Sequence, residues 1–209
     1  MSPMPAGGGA KARARQEAQR ARILEAARKC FSEQGFHGAG MSAIAREAGM
    51  SQGLIYRYFT NKAAIIRAIT DEQREERREA LAGIATCSEL VDRLLEKIDA
   101  WRESGPGGSC EGAFDAALFL EVSAEATRDA DIAAVVTAQE PQIWVDFEDL
   151  VRRSAVAAGK PLEADAVRRR TVVMRCLVDG LILCYVRDPQ QDREVLRHSL
   201  QEAITALCL

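Results

Sequence analysis

Histidine is nearly missing from this 209-residue sequence, which has only His37 and His198. Its six cysteines (Cys30, Cys87, Cys110, Cys176, Cys184 and Cys208) are scattered without a CxxC pair, so the spacing of a zinc site is absent. No nucleophile–base pair, metal cluster or phosphate-binding glycine loop is evident, which argues against an enzyme. No catalytic residue, cofactor or metal ligand is therefore assigned. No run of about 18 uncharged apolar residues occurs, so neither a membrane span nor a membrane partner is expected. The nearest run, Thr171 to Val186, is interrupted by Arg175 and Asp179. Residues 1–10 lack the apolar core of a signal peptide, which points to the cytoplasm, where cysteines stay reduced and are mostly buried. Alternating apolar and polar residues are lacking too, and with them any case for strands.

The chain carries 28 Lys+Arg against 31 Asp+Glu, a net charge of −3. That total conceals a split. Residues 1–62 hold ten basic and four acidic residues, a net of +6, whereas residues 63–209 hold eighteen and twenty-seven, a net of −9. A basic head on an acidic body means that the two parts meet different partners, and the head has the sign that DNA phosphates require.

Helical periodicity runs almost throughout. Residues 1–15 read as a flexible basic arm, Pro/Gly-rich at first and then carrying Lys11, Arg13 and Arg15. The arm is either a solvated charge run or a DNA contact. From Gln16 to Gln34, Ile23, Leu24, Ala27, Cys30 and Phe31 mark one helical face, and Gly35 ends it. Ser42 is expected to cap a short helix over 43–48, and Ser51 a second one reaching Tyr58. Asn61 would cap a long helix from Lys62 to about Ile84, whose charged middle, Asp71 to Glu79, should be solvated on most sides. Further helices are expected over 89–103, 112–127, 131–158, 163–187 and 190–208, with Ser104 to Ser109 as a flexible connection. Pro141 should kink or restart its helix, and Asp188-Pro189 should open the last one. The fold class is all-α: an N-terminal domain of three helices over 16–62, followed by a larger helical domain over 63–209.

Two helices of about seven residues, joined by a glycine-containing turn and braced on both sides, describe a helix-turn-helix. The exposed face of the second helix would be Ser51, Gln52, Gly53, Tyr56 and Arg57. Gln52 can make a bidentate contact to adenine, and Gly53 leaves room for the duplex to approach the backbone. Tyr56, Tyr58 and Lys62 offer donors to phosphates at a helix N-terminus that favours anions. Ile44, Ala48, Leu54, Ile55 and Phe59 would fill the inside. The bland alternative makes Tyr56, Tyr58 and Phe59 an aromatic packing patch, a role that suits Phe59 beside Phe31.

The literal sequence is more specific. Ile23-Leu24-x-Ala26-Ala27, Phe31, Gly35, Ile44-Ala45, Ala48-Gly49, Ser51-x-Gly53, Ile55-Tyr56-x-Tyr58-Phe59 and Lys62 resemble the N-terminal domain of TetR-family transcriptional regulators over about 45 residues. The resemblance implies a homodimer that binds double-stranded operator DNA and releases it when a small molecule enters the C-terminal domain. By position it implies phosphate contacts from Ser42 and Lys62, and in part from Tyr56, Arg57 and Tyr58. It places Ser51, Gln52 and Gly53 at the groove.

The body is less explicit. The last helix carries Leu196, Leu200, Ala203 and Leu207 at a 4-3-4 spacing, with Val195 and Ile204 alongside. The helix before it is apolar nearly all round and includes Leu177 and Leu181. Helices buried on two sides suit a four-helix dimer interface, the arrangement the resemblance also implies. For a ligand pocket the aromatic candidates are Trp101, Phe114, Phe119, Trp144 and Phe147, with plain core packing as the alternative. Glu121, Arg175 and Asp179 sit in apolar runs, so each is either paired or poised for a ligand. A pocketless body would instead indicate a constitutive DNA-binding dimer, and cysteine oxidation is a further possible trigger. Ligand identity and operator sequence are not written in the chain.

Overall fold

A computed structural model describes residues 7–104, 115–188 and 190–208. Among them every regular element is an α-helix: α1 (Gly7–Gly38), α2 (Met41–Glu47), α3 (Gln52–Tyr58), α4 (Lys62–Ala82), α5 (Cys87–Ser104), α6 (Ala116–Glu125), α7 (Ala130–Ala157), α8 (Ala164–Arg187) and α9 (Arg193–Cys208). No described helix is long and apolar enough to cross a membrane.

The first helix starts earlier than expected. Lys11, Arg13 and Arg15 lie on α1, not in a flexible arm, and stand exposed on its N-terminal turns before the buried face begins at Ile23. Arg, Ala and Gln are strong helix formers, and the helix anchored behind them removes the nucleation cost. Gly35 breaks the helical path at φ 70°, and the chain takes up one further turn to Gly38. Capping also differs at α2. Gly40, in an extended conformation, holds the N-cap position without a side-chain bond, so Ser42 sits exposed inside the first turn and caps nothing. At α3 the Ser51 hydroxyl accepts from the Leu54 amide at 3.3 Å, and at α4 Asn61 Oδ1 accepts from Ala64 at 2.8 Å. The α2–α3 turn needs Gly49 at φ 60°, and the Arg22 guanidinium occupies the space a Cβ would take there.

Further on, α7 does not restart at Pro141 but runs as one helix, because packed residues hold it on both sides of the missing bond: Ile132 and Val135 before, Phe147 and Leu150 after. The last helix begins at Arg193 and not at the Asp188-Pro189 pair. Asp192 caps it by accepting from Glu194 and Val195, whereas Asp188 accepts from Gln190 in a separate turn. Pro189 itself lies outside the described residues, as do the 105–109 connection and Phe114.

Two apolar cores result. The first gathers α1, α2, α3 and the start of α4 with Leu118 and Val122 of α6 and Ile132 and Val135 of α7. The second gathers the end of α4 with α5, the later part of α7, α8 and α9. The helix-turn-helix core thus extends beyond residue 62, for Ile65, Ile66 and Ile69 of α4 are fully buried within it. Burial of each such side chain is worth about 1.5–3 kcal/mol. Helix α4 crosses from one core to the other.

The cysteines depart from a uniformly reduced and buried set. Cys30 is buried and free, Cys176 and Cys184 are free but exposed, and Cys87 is disulfide-bonded.

Candidate DNA-binding surface and ligand cavity

The second helix of the helix-turn-helix turns Ile55 fully inward, and Phe59 just beyond it is buried beneath the Arg20 guanidinium. The helical period leaves Gln52, Gly53, Tyr56 and Arg57 exposed together with the cap residue Ser51. Leu54, expected inside, is only half-buried. Tyr56 exposes 48% of its surface, a large ring left half open to solvent. A Cβ built on Gly53 would meet nothing within 4 Å, so nothing inside this chain requires glycine at that position.

Two candidate contacts are held elsewhere. The Tyr58 hydroxyl donates to Gln19 Oε1 on α1. The Lys62 ammonium donates to the Phe36 carbonyl at 2.6 Å and lies 4.1 Å from the Phe36 ring centroid. Ser42, by contrast, is exposed. The sequence pattern carries no sign of the Lys62 anchor, because its acceptor is a backbone carbonyl 26 residues away.

The helix-turn-helix is fastened to the body at the break in α1. Glu121 accepts from the Phe36 amide at 3.1 Å, and its carboxylate lies against Gly35. His37 Nε2 faces the buried Glu125 carboxylate at 3.1 Å. Glu72 of α4 receives Arg20 at 3.0 Å and Arg28 at 2.7 Å, both from α1. Glu121 therefore belongs to this joint and not to a pocket.

Between the two cores lies a cavity of about 270 Å³, walled by α4, α5, α6, α7 and α8. Ile66, Ile69 and Leu118 line it from the first core, Leu90, Ile98 and Phe147 from the second. Of the sequence candidates, Phe119, Phe147, Arg175 and Asp179 line it. Trp101 packs at the edge of the second core, and Trp144 lies outside the wall with the Arg175 guanidinium 5.0 Å above its ring. Arg175 binds Glu140 at 2.6 Å and stands 3.9 Å from Asp179. Burial raises the Asp179 carboxyl above its ordinary range, against the opposing pull of Arg175.

Sequence reading missed Arg77. Placed within a charged run expected to be solvated, it lines the cavity, half-buried. The signal was present: Ile66, Ile69, Gln73 and Arg77 keep a 3–4 spacing that carries the buried face straight into the charged stretch.

The residues expected at a dimer interface also meet partners within the chain. Leu181 is buried in this chain's own second core, and Leu177, Leu196 and Leu200 pack against it; Ala203 and Leu207 are half-buried. The α9 stripe packs, half-buried, against the second core of the same chain. The exposed apolar residues of these last helices are instead Val172, Val173, Leu183 and Val195.

Residues 23–69 match the family model described as bacterial regulatory proteins, tetR family. The HTH-type transcriptional regulator UidR of Escherichia coli K12 is 37% identical over 121 residues, a stretch that spans 56% of this chain and 56% of that relative. Salmonella enterica GusR superposes with a TM-score of 0.72 at 24% identity, covering 91% of this chain and 95% of its own. FadR from Bacillus subtilis, solved in complex with stearoyl-CoA, superposes with a TM-score of 0.65 at 21% identity, covering 88% and 96%. The fold and its surface define a helix-turn-helix protein with a helical body. Residues 23–69, the helix-turn-helix segment, are what the chain has in common with the TetR family of bacterial regulatory proteins.

Proposed function

We propose that this protein is a homodimeric transcriptional regulator, a repressor released from a palindromic operator when a small molecule enters the cavity between its two cores. The observation that carries the DNA half is the exposed face of α3, where Gln52, Tyr56 and Arg57 share a face with Gly53, a glycine that the protein itself does not need. Gln52 reads a base edge, while Ser42, Ser51, Tyr56 and Arg57 hold phosphates or the groove rim. Tyr58 and Lys62 act through position, one tying α3 to α1 and the other tying α4 to α1. Basic residues on the exposed first turns of α1 add to the positive footprint.

The cavity supports the ligand half and weighs against a constitutive, pocketless dimer. FadR, a structural neighbour, was solved with an acyl-CoA, which agrees with a body of this shape holding a ligand. A ligand that fits only one spacing of the two recognition helices shifts the population toward it. The second copy sits on the exposed apolar face of α8 and α9, and the regulator works in the cytoplasm.

Fluorescence anisotropy with DNA flanking the protein's own gene tests the reading. Saturable binding by a dimer is expected, with Gln52→Ala altering base preference and Arg57→Ala weakening all sequences alike. Equal affinity for any duplex would remove the operator, and with it this function.

A further inference from the structure

The cavity wall carries seven ionisable side chains, and most are spoken for. Arg175 is bound by Glu140, and Arg93 by Glu96. Asp179 faces Arg175, and Glu76 stands exposed. Lys97 is half-buried on α5. Arg77 also has an ion-pair partner, Asp146, but differs in its buried donors: Nε and Nη2 have no hydrogen-bond acceptor. The nearest carboxylate oxygen, Asp146 Oδ2, is 3.8 Å from Nε, too far for a hydrogen bond, and it too is buried without a donor. Leaving such charged donors unsatisfied is expensive, and burial pushes the Arg77 guanidinium below its ordinary value even with Asp146 and Glu140 opposing.

No hydrogen bond to Asp146 fixes the guanidinium, so a small rotation turns its planar fork toward the cavity, the geometry that suits a two-oxygen acceptor. The rest of the wall is largely aliphatic. At about 270 Å³ the space is close to the lower end of small-molecule sites, which start at about 300 Å³. A cationic ligand finds less inside: Glu140 is already bound at 2.6 Å, Asp179 shares the same arginine, and Glu76 stands exposed to solvent.

We propose that the cavity takes a small amphipathic carboxylate, with its acid group on Arg77 and its apolar tail between the two cores. This rests on the ligand-responsive reading above and narrows it to one chemical class. Arg77 is half-buried on the long helix that joins the cores, so a bound carboxylate pulls on α4 midway between them.

Isothermal titration calorimetry of the full chain at pH 7 with octanoate, 1-octanol and octylamine tests it. Octanoate is expected to bind at least tenfold more tightly than either of the others. Arg77→Met should abolish that preference while leaving 1-octanol binding in place. Should that variant misfold around an uncompensated Asp146, Arg77→Met with Asp146→Asn removes both charges, and the ranking on the unaltered protein decides by itself. Octylamine or 1-octanol binding as well as octanoate would overturn the proposal but leave a ligand-binding body intact. Failure of all three to bind would overturn the proposal and the ligand half of the function together. Octanoate preference without loss of operator binding would support the carboxylate site and overturn release by that ligand.

Discussion

The Lys62 ammonium sits between the carbonyl and the ring of Phe36, donating to the one at 2.6 Å and lying 4.1 Å from the centre of the other. Phe36 in turn gives its amide to Glu121 of the body. A lysine at the start of α4 thus closes a chain of contacts from the recognition domain to α6. We propose that its main work is to hold the joint.

Lys62→Met is therefore expected to lower stability by about 1.5–3 kcal/mol, the range for a hydrogen bond to a charged group, read from the urea midpoint. A phosphate contact would flatten the salt dependence of DNA binding by about one charge. The expected slope is unchanged. A flattened slope with full stability would return Lys62 to the DNA.

Gly53 offers a cleaner separation of fold from function. Alanine meets no neighbour there and favours the helix by roughly 0.5–1 kcal/mol. Gly53→Ala should raise the melting temperature slightly while weakening operator binding by tenfold or more. A stabilised variant with unimpaired binding would show that the duplex does not approach this backbone.

The carboxyl of Asp179 is lifted by burial above its ordinary value of 3.8. An acid whose folded pKa exceeds its unfolded one binds more protons when folded, so stability falls as pH rises through the interval between the two. Asp179→Asn should remove that part of the fall. The variant is expected to match the parent near pH 3 and exceed it at pH 7, measured by urea denaturation across the range.

Leu183 tests the dimer. It lies with Val172 and Val173 among the exposed apolar residues of α8. Leu183→Glu should raise the dimer dissociation constant by at least about 30-fold, equivalent to roughly 2 kcal/mol, with an unchanged circular dichroism spectrum. Leu200→Glu, directed at the chain's own core, should instead reduce stability. Analytical ultracentrifugation distinguishes the two.

Local signals read well from the sequence. The α3 helix, its Ser51 cap, the Asn61 cap of α4 and the inward Ile55 all follow from spacing and from side chains that bond their immediate neighbours. What depended on distant partners did not read. The α9 leucines have the same spacing whether a second copy or α5 covers them, and periodicity cannot tell the two apart. Arg77 was hidden by its charged neighbours, although it continues the buried face. Glu121 looked like a pocket carboxylate because its partner, the amide of Phe36, lies 85 residues away.

The cavity between the cores also bears on how the protein unfolds. The cavity interrupts the packing between the two halves, so much of their cooperativity runs through the walls around it: α4, and the packing of α7 along it. The empty protein is therefore expected to melt with a broadened calorimetric transition, one half loosening ahead of the other. An occupant that touches Ile69 on one side and Phe147 on the other would fuse the two into a single sharp event. The width of the melting peak, and not only its midpoint, would then report occupancy.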